Sequence, residues 1–298
     1  MHRRQSARFL ASLVALGLGA GALAAQNITL PNQADSLKFA IIGDSGTGGS
    51  AQLKIADLLW KSHAPFPYEF VLMMGDNLYI GSSDSAFQKA FEKPYKPILD
   101  AGIKFYASLG NHDNPNQRFY KDFNMNGERY YTFRPKLGVR MFALDSNYMD
   151  QKQLGWLEKE LAASGSDWKI AFFHHPLYSS GGAHGSNLPL REQLEPLFLK
   201  YGVDAVFAGH EHFYERIKPQ KGIYYFISGG AAKLRKGDVD KSDLTAKAFD
   251  TGYHFMLLEI VNDTLNFQVI SDLGTTVDAG SFTKYSDAEK KKAVGAAP

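Results

Sequence analysis

Four apolar runs end alike, each passing through glycine into a polar residue. Residues 37–44 read LKFAIIGD, residues 70–76 FVLMMGD, residues 104–111 KFYASLGN and residues 203–210 VDAVFAGH. Apolar runs of this length, bounded by turn residues, fit strands buried on both faces. Between them lie helix-like segments at residues 50–62, 85–101, 151–163 and 188–201, the third with Leu154, Leu157 and Leu161 on one face. Strands that alternate with helices predict a layered α/β architecture, in which ligands gather beyond the carboxyl ends of the strands. The Gly-polar pairs fall at those ends.

The later part changes character. GIYYFISGG, HFMLLEIVND and TLNFQVIS read as antiparallel strands, with a hairpin turn at Asn262-Asp263. The expected fold is a four-layer α/β/β/α sandwich of two mixed sheets flanked by helices. With 298 residues and 44% hydrophobic content the chain can bury a sizeable core. No fixed-period repeat or proline-rich linker divides it, so one domain is expected over residues 25–280, followed by a polar tail at residues 281–298.

The first residues read as a signal for export. His2, Arg3, Arg4 and Arg8 form a basic head, an apolar run rich in small residues follows, and Ala22-Leu23-Ala24 fits a small-x-small cleavage site. Residues 1–24 are therefore expected to be a secretory signal peptide, which makes the protein exported, either periplasmic or secreted, with no stable membrane partner after cleavage. The apolar run is short for an uncleaved bilayer anchor. Without those residues the chain carries 30 basic against 31 acidic side chains, a balance that does not advertise nucleic-acid binding. The absence of cysteine excludes disulfides, thiolate metal sites and a cysteine nucleophile.

Of nine histidines, six fall in four polar clusters: GNHD (residues 110–113), FFHHP (172–176), GGAHG (181–185) and GHEH (209–212). A lone GNHD or HHP reads as a turn, since Asn, Asp and His all suit turns. Their co-occurrence with two earlier GD pairs at strand ends favours a ligand set. Asp44, Asp76, Tyr79, Asn111, His174, His210 and His212 give seven oxygen and nitrogen donors. Such donors suit zinc, iron or manganese, and a phenolate favours a high-charge ion such as ferric iron. Seven donors exceed the three protein ligands of a usual catalytic zinc site and suit two metals sharing one carboxylate, a recurring device for displacement at phosphorus.

The ordered series Gly43-Asp44-Ser45-Gly46, Gly75-Asp76-Asn77-Leu78-Tyr79, Gly110-Asn111-His112-Asp113, His174-His175-Pro176 and Gly209-His210-Glu211-His212 resembles the calcineurin-like metallophosphoesterases. Tyr79, three residues after Asp76, points within them to purple acid phosphatases, especially the small tartrate-resistant type. The resemblance implies that Asp44, Tyr79 and His212 hold Fe3+, that Asn111, His174 and His210 hold a divalent ion (Fe2+, Zn2+ or Mn2+), and that Asp76 bridges. It implies catalytic positions facing the substrate for His112 and His184, although the spacing from His174 to His184 is one residue longer than in the mammalian type. His175 is expected to point away from His174 if both lie on a strand. Arg191 and Lys233 are within the range of residues that could meet phosphate, with surface solvation as their default.

The implied activity is that of an acid phosphatase: hydrolysis of small phosphate monoesters by direct attack of a metal-bound hydroxide, with His112 or His184 protonating the leaving group. Metal ligands do not report the number of ester bonds accepted, so a phosphodiesterase using the same site stays open. So does a non-catalytic exported metal-binding protein.

Overall fold

Side-chain alternation along the strands sets the layers in the computed structural model, which describes residues 27–286 and residue 289. In β6 (Trp168–Phe173), Trp168, Ile170 and Phe172 enter one apolar core while Ala171 and Phe173 enter another. In β5 (Val139–Ala143), Val139, Met141 and Ala143 join the first core and Phe142 the second. Successive residues on a strand face opposite ways, so this sheet is covered on both faces and its strands read as unbroken apolar runs.

The second core is closed by two helices, α4 (Gln151–Ala162) and α5 (Leu188–Tyr201), through Leu157, Leu161, Leu190, Leu194 and Phe198. Their starts are written locally: Asp150 accepts from the Gln153 N–H and Asn187 from the Leu190 N–H, satisfying donors that a first helical turn leaves free. The first core lies between this sheet and another. That sheet runs in the order β13 (Thr276–Thr283), β12 (Thr264–Ser271), β11 (His254–Val261), β1 (Leu37–Ile42), β2 (Phe70–Met73) and β3 (Lys104–Ala107). Its partner runs β10 (Thr245–Phe249), β8 (Tyr214–Ile217), β9 (Tyr224–Ser228), β7 (Ala205–Ala208), β6, β5 and β4 (Tyr131–Lys136). Both sheets are mixed. β1, β2 and β3 are parallel, as are β5, β6, β7 and β9, with antiparallel strands at the margins. α1 (Ser50–His63) packs on the six-stranded sheet, sending Ile55 and Leu59 into its core.

The expected four-layer sandwich is the observed one, and the Asn262-Asp263 hairpin joins β11 to β12 with Asn262 in the left-handed region. Three details differ. The expected helix over residues 85–101 is broken into α2 (Asp84–Phe87), a wider turn at Gln88–Glu92, and α3 (Lys96–Asp100). Pro94 and Pro97 each lack an N–H for the helical ladder, which the spacing of apolar residues does not register. GIYYFISGG forms β9, which is antiparallel to β8 as expected but parallel to β7. The last strand continues to Thr283, past the expected boundary at residue 280, and the Tyr285 ring stacks on Tyr224. The expected signal peptide and most of the tail lie outside the described residues. Among those described, no helix is long and apolar enough to cross a membrane.

Replacing Phe172 or Phe173 by alanine leaves a cavity in the inter-sheet core or under α4 and α5. Each is expected to destabilise the fold by about 3–5 kcal/mol. Leu137, 92% exposed, serves as the control, its alanine variant staying within about 0.5 kcal/mol of wild type in urea denaturation.

Candidate metal centre

The parallel strands of both sheets end at the same edge of the sandwich, and there the two sheets touch through their loops. β1 runs into Gly43-Asp44, β2 into Gly75-Asp76 and β3 into Gly110-Asn111; β6 runs into His174 and β7 into Gly209-His210. The approach is close enough to forbid side chains. A Cβ on Gly75 would lie 2.6 Å from His174 Nδ1, and one on Gly209 would lie 2.6 Å from both Asp44 Oδ2 and the Met74 carbonyl oxygen. Directly after their glycines, Asp44, Asp76 and His210 adopt positive φ values of 56°, 49° and 69°. This is the left-handed region that residues other than glycine rarely occupy, and such outliers cluster at functional sites.

Those turns aim seven donors inward in two overlapping groups. In the first, Tyr79 Oη lies 3.0 Å from Asp44 Oδ1 and 3.3 Å from His212 Nε2, and His212 Nε2 lies 3.4 Å from Asp44 Oδ1. In the second, the Asn111 oxygen lies 2.9 Å from His174 Nε2 and 3.1 Å from His210 Nδ1, with the two imidazole nitrogens 3.1 Å apart. Asp76 belongs to both. It shares a cluster with Asp44 and His212, their ligand atoms all within 4.8 Å, and its Oδ1 is 3.5 Å from His174 Nε2.

Backbone hydrogen bonds fix these orientations. The His210 N–H donates to Asp44 Oδ2 and the His112 N–H to Asp76 Oδ1. The Tyr79 N–H donates to the Gly46 carbonyl, tying the loop after β2 to the loop after β1. His174 Nδ1 donates to the Met74 carbonyl, which leaves a lone pair on Nε2 when the ring is neutral. It is neutral: burial, followed by the charge of His175, holds its pKa well below the ordinary imidazole value. Burial, then His174, pushes His210 down to about 2, and burial, then Arg235, pushes His212 down to about 3. Neutral imidazole is the form that ligates metal. Burial and the neighbouring Asp76 raise the Asp44 carboxyl well above its usual range, and burial with Asp44 and Asp76 keeps Tyr79 a phenol that donates to Asp44.

Buried carboxyl groups, a carboxamide oxygen and imidazole lone pairs thus converge. That is the chemistry of a cation site, and two overlapping donor groups with a common carboxylate fit a pair of ions.

The remaining expected residues sort by position. His112 is exposed beside the first group, its ring 5.0 Å from that of Tyr79. His184 is exposed beside the second, its ring 4.3 Å from that of His210, with its pKa lowered by burial and then by Arg235. His175 departs from expectation. β6 stops at Phe173, so strand alternation does not separate the two histidines; the His175 ring lies 4.9 Å from His174 and 4.5 Å from His210, while its Nδ1 meets Ser146 Oγ at 2.8 Å. Arg191 stacks over Tyr178 under α5. Lys233 Nζ sits over the Tyr79 ring.

Three residues at the site carried no role in the sequence reading. Asp113 accepts from the N–H groups of Gly110, Asn77 and Leu78 and from the Asn77 side chain, locking the loops after β2 and β3 together. Burial and Asp76 push its carboxyl up to about 7, against those donors, which favour the carboxylate. Buried Glu211 accepts from the Gly185 N–H and pairs with Arg235, and Arg235 in turn donates to His184. Asp113 and Glu211 lie inside the GNHD and GHEH motifs, which was the available signal. Arg235 lies in a run of charged and small residues that reads as solvated loop. A cavity of about 1200 Å³ lined by Leu161, Lys169, Tyr201 and Tyr285 lies at the other end of the strands and holds none of these residues.

Comparison with known proteins agrees with this geometry. Residues 37–214 match the family described as Calcineurin-like phosphoesterase. The chain is 26% identical over 250 residues to human tartrate-resistant acid phosphatase type 5, covering 68% of this chain and 77% of that protein. It is 27% identical over 289 residues to purple acid phosphatase 7 of Arabidopsis thaliana, covering 84% and 87%. Its fold is similar to that of GAP50, the anchor in the inner membrane complex of Plasmodium, with a TM-score of 0.75, 19% identity and coverage of 88% and 95%. A fold shared with an anchor does not assign an activity; the side chains at the strand ends must. The family match spans more than half of the chain and takes in all seven donors, and the protein belongs to the calcineurin-like phosphoesterase family.

Proposed function

We propose that this protein is an exported acid phosphatase that hydrolyses small phosphate monoesters at a two-metal centre. Asp44, Tyr79 and His212 would hold ferric iron, Asn111, His174 and His210 a divalent ion, and Asp76 would be shared. The observation that carries this reading is the position of Asp76, whose carboxylate faces both donor groups at once. Export is supported by the basic head, apolar run and small-x-small site of residues 1–24.

A metal pair held by these residues would supply Lewis acidity toward the phosphoryl oxygens and lower the pKa of water for attack at phosphorus. The protein's own groups do the rest. His112, exposed beside Tyr79, donates a proton to the leaving oxygen, a role worth roughly 10²–10⁴ in rate. His184, exposed beside the second group, turns both ring nitrogens to the Arg235 guanidinium, Nδ1 2.8 Å from Nη1 and Nε2 3.4 Å from Nη2, and so orients that cation at the edge of the site. One P–O bond to the leaving group breaks and one to the water oxygen forms, so water is consumed and alcohol and phosphate are released. No side chain needs to be phosphorylated.

Metal analysis combined with a phosphate-ester panel tests the whole reading. Iron plus a second metal at about one each per chain, with turnover of p-nitrophenyl phosphate exceeding that of bis(p-nitrophenyl) phosphate, is the expected result. A preference for the diester would replace the monoesterase by a phosphodiesterase, and an inert metal-loaded protein would remove the hydrolase. Asp76→Ala is expected to lower both metal occupancies and to reduce turnover by more than about 100-fold. Two retained metals and near-normal rates in that variant would refute the shared-ligand assignment. Iron held by the Tyr79 phenolate is expected to give the wild type a visible charge-transfer band; Tyr79→Phe keeps the ring and removes only the oxygen, so a folded protein without that band is expected, with turnover reduced by about tenfold, less than by loss of Asp76. Persistence of the band would return Tyr79 to a packing role.

A further inference from the structure

We propose that Lys233 and Arg235 form a cationic wall along the candidate site that grips the phosphate ester and favours dianionic monoesters over monoanionic diesters, an inference that rests on the hydrolase reading above. The two residues lie on the segment between β9 and β10, which is tied down along its length. The Ala231 N–H donates to the Gly43 carbonyl and the Arg235 N–H to the His212 carbonyl, both at 3.1 Å. Further on, the Asp238 carbonyl accepts from the Gly182 N–H at 2.8 Å and the Asp250 carboxylate from the Gly237 N–H at 2.9 Å. Side chains on this segment are therefore held in place beside the donors.

The two cations stand at different points around the cluster. Lys233 Nζ lies 4.5 Å from the Tyr79 ring centroid, on the side of Asp44 and His212. The side chain is half-buried, and among the described residues no carboxylate pairs with it. Partial burial of an ammonium group has a desolvation cost, and contact with an aromatic face offsets only part of it. An arriving anion completes the balance. Arg235 has its Nη1 2.8 Å from His184 Nδ1 and 3.2 Å from Glu211 Oε2, with the His184 ring against His210. Both cations depress the His212 pKa, and Arg235 depresses those of His184 and His210 as well, which is what proximity of positive charge produces.

Charge arithmetic gives the preference. A monoester dianion presents twice the charge of a diester to the same two cations, while its single organic substituent leaves more phosphoryl oxygens free to accept their hydrogen bonds. Guanidinium suits two such oxygens at once, and ammonium acts as a point charge.

Lys233→Met is the decisive variant, because Lys233 holds no described carboxylate and methionine keeps its apolar stem. Calorimetric binding of inorganic phosphate to the metal-loaded protein is read alongside steady-state kinetics on p-nitrophenyl phosphate and bis(p-nitrophenyl) phosphate. The variant is expected to bind inorganic phosphate about tenfold more weakly and to raise the monoester KM by a similar factor, as for loss of one charge-assisted hydrogen bond. The diester KM should stay within about twofold and both kcat values within about threefold. Arg235→Lys, which keeps the charge, should lose less phosphate affinity than Arg235→Met, whereas a role confined to holding Glu211 would leave phosphate affinity unmoved in both. Wild-type phosphate affinity in Lys233→Met, or equal weakening of monoester and diester, would overturn the wall. A wild type that hydrolyses neither ester yet binds phosphate in a Lys233-dependent way would support the wall and remove the hydrolase reading.

Discussion

Two carboxylates, Asp44 and Asp76, are buried side by side where loops from both sheets meet, and the architecture around them is organised by that fact. Ionised acids out of water repel each other and lose hydration, so each needs compensation from close range. Part is supplied by the His210 and His112 N–H groups, one to each acid. The rest calls for positive charge, and the imidazoles nearby cannot supply it because burial keeps them neutral. Metal held between the acids would supply that charge, and Lys233 and Arg235 stand close by as fixed cations.

Holding such a cluster together requires backbone in uncommon conformations. Three donors occupy the left-handed region, at a cost of about 1–3 kcal/mol each. The glycines before them let the two sheets approach until backbone meets side chain. A core of aromatic and branched residues offsets this strain. Phe39, Phe172, Phe207 and Phe226, for example, fill the space between the sheets that present the loops.

The strands and their polar ends were legible because one signal carried both: an apolar run says that both faces are covered, and a glycine followed by Asp, Asn or His says where the chain turns. The layer order followed from alternation of strands with helices. What escaped depended on tertiary placement. The break in residues 85–101 is made by prolines inside an otherwise helical apolar pattern, and His175 joined the imidazole cluster because β6 ends one residue before His174. Arg235 reaches the site from a segment whose composition says only that it is polar, and Glu211 is buried although glutamate usually is not.

The donors run from Asp44 to His212, so coordination at this edge would join points about 170 residues apart along the chain, and the entropy removed from the unfolded ensemble grows with the logarithm of that separation. A chain without cysteine cannot cross-link itself through disulfides. Coordination there would act as a removable staple between the two sheets, and the protein's resistance to unfolding and proteolysis would follow the supply of metal ions rather than the thiol balance of its surroundings.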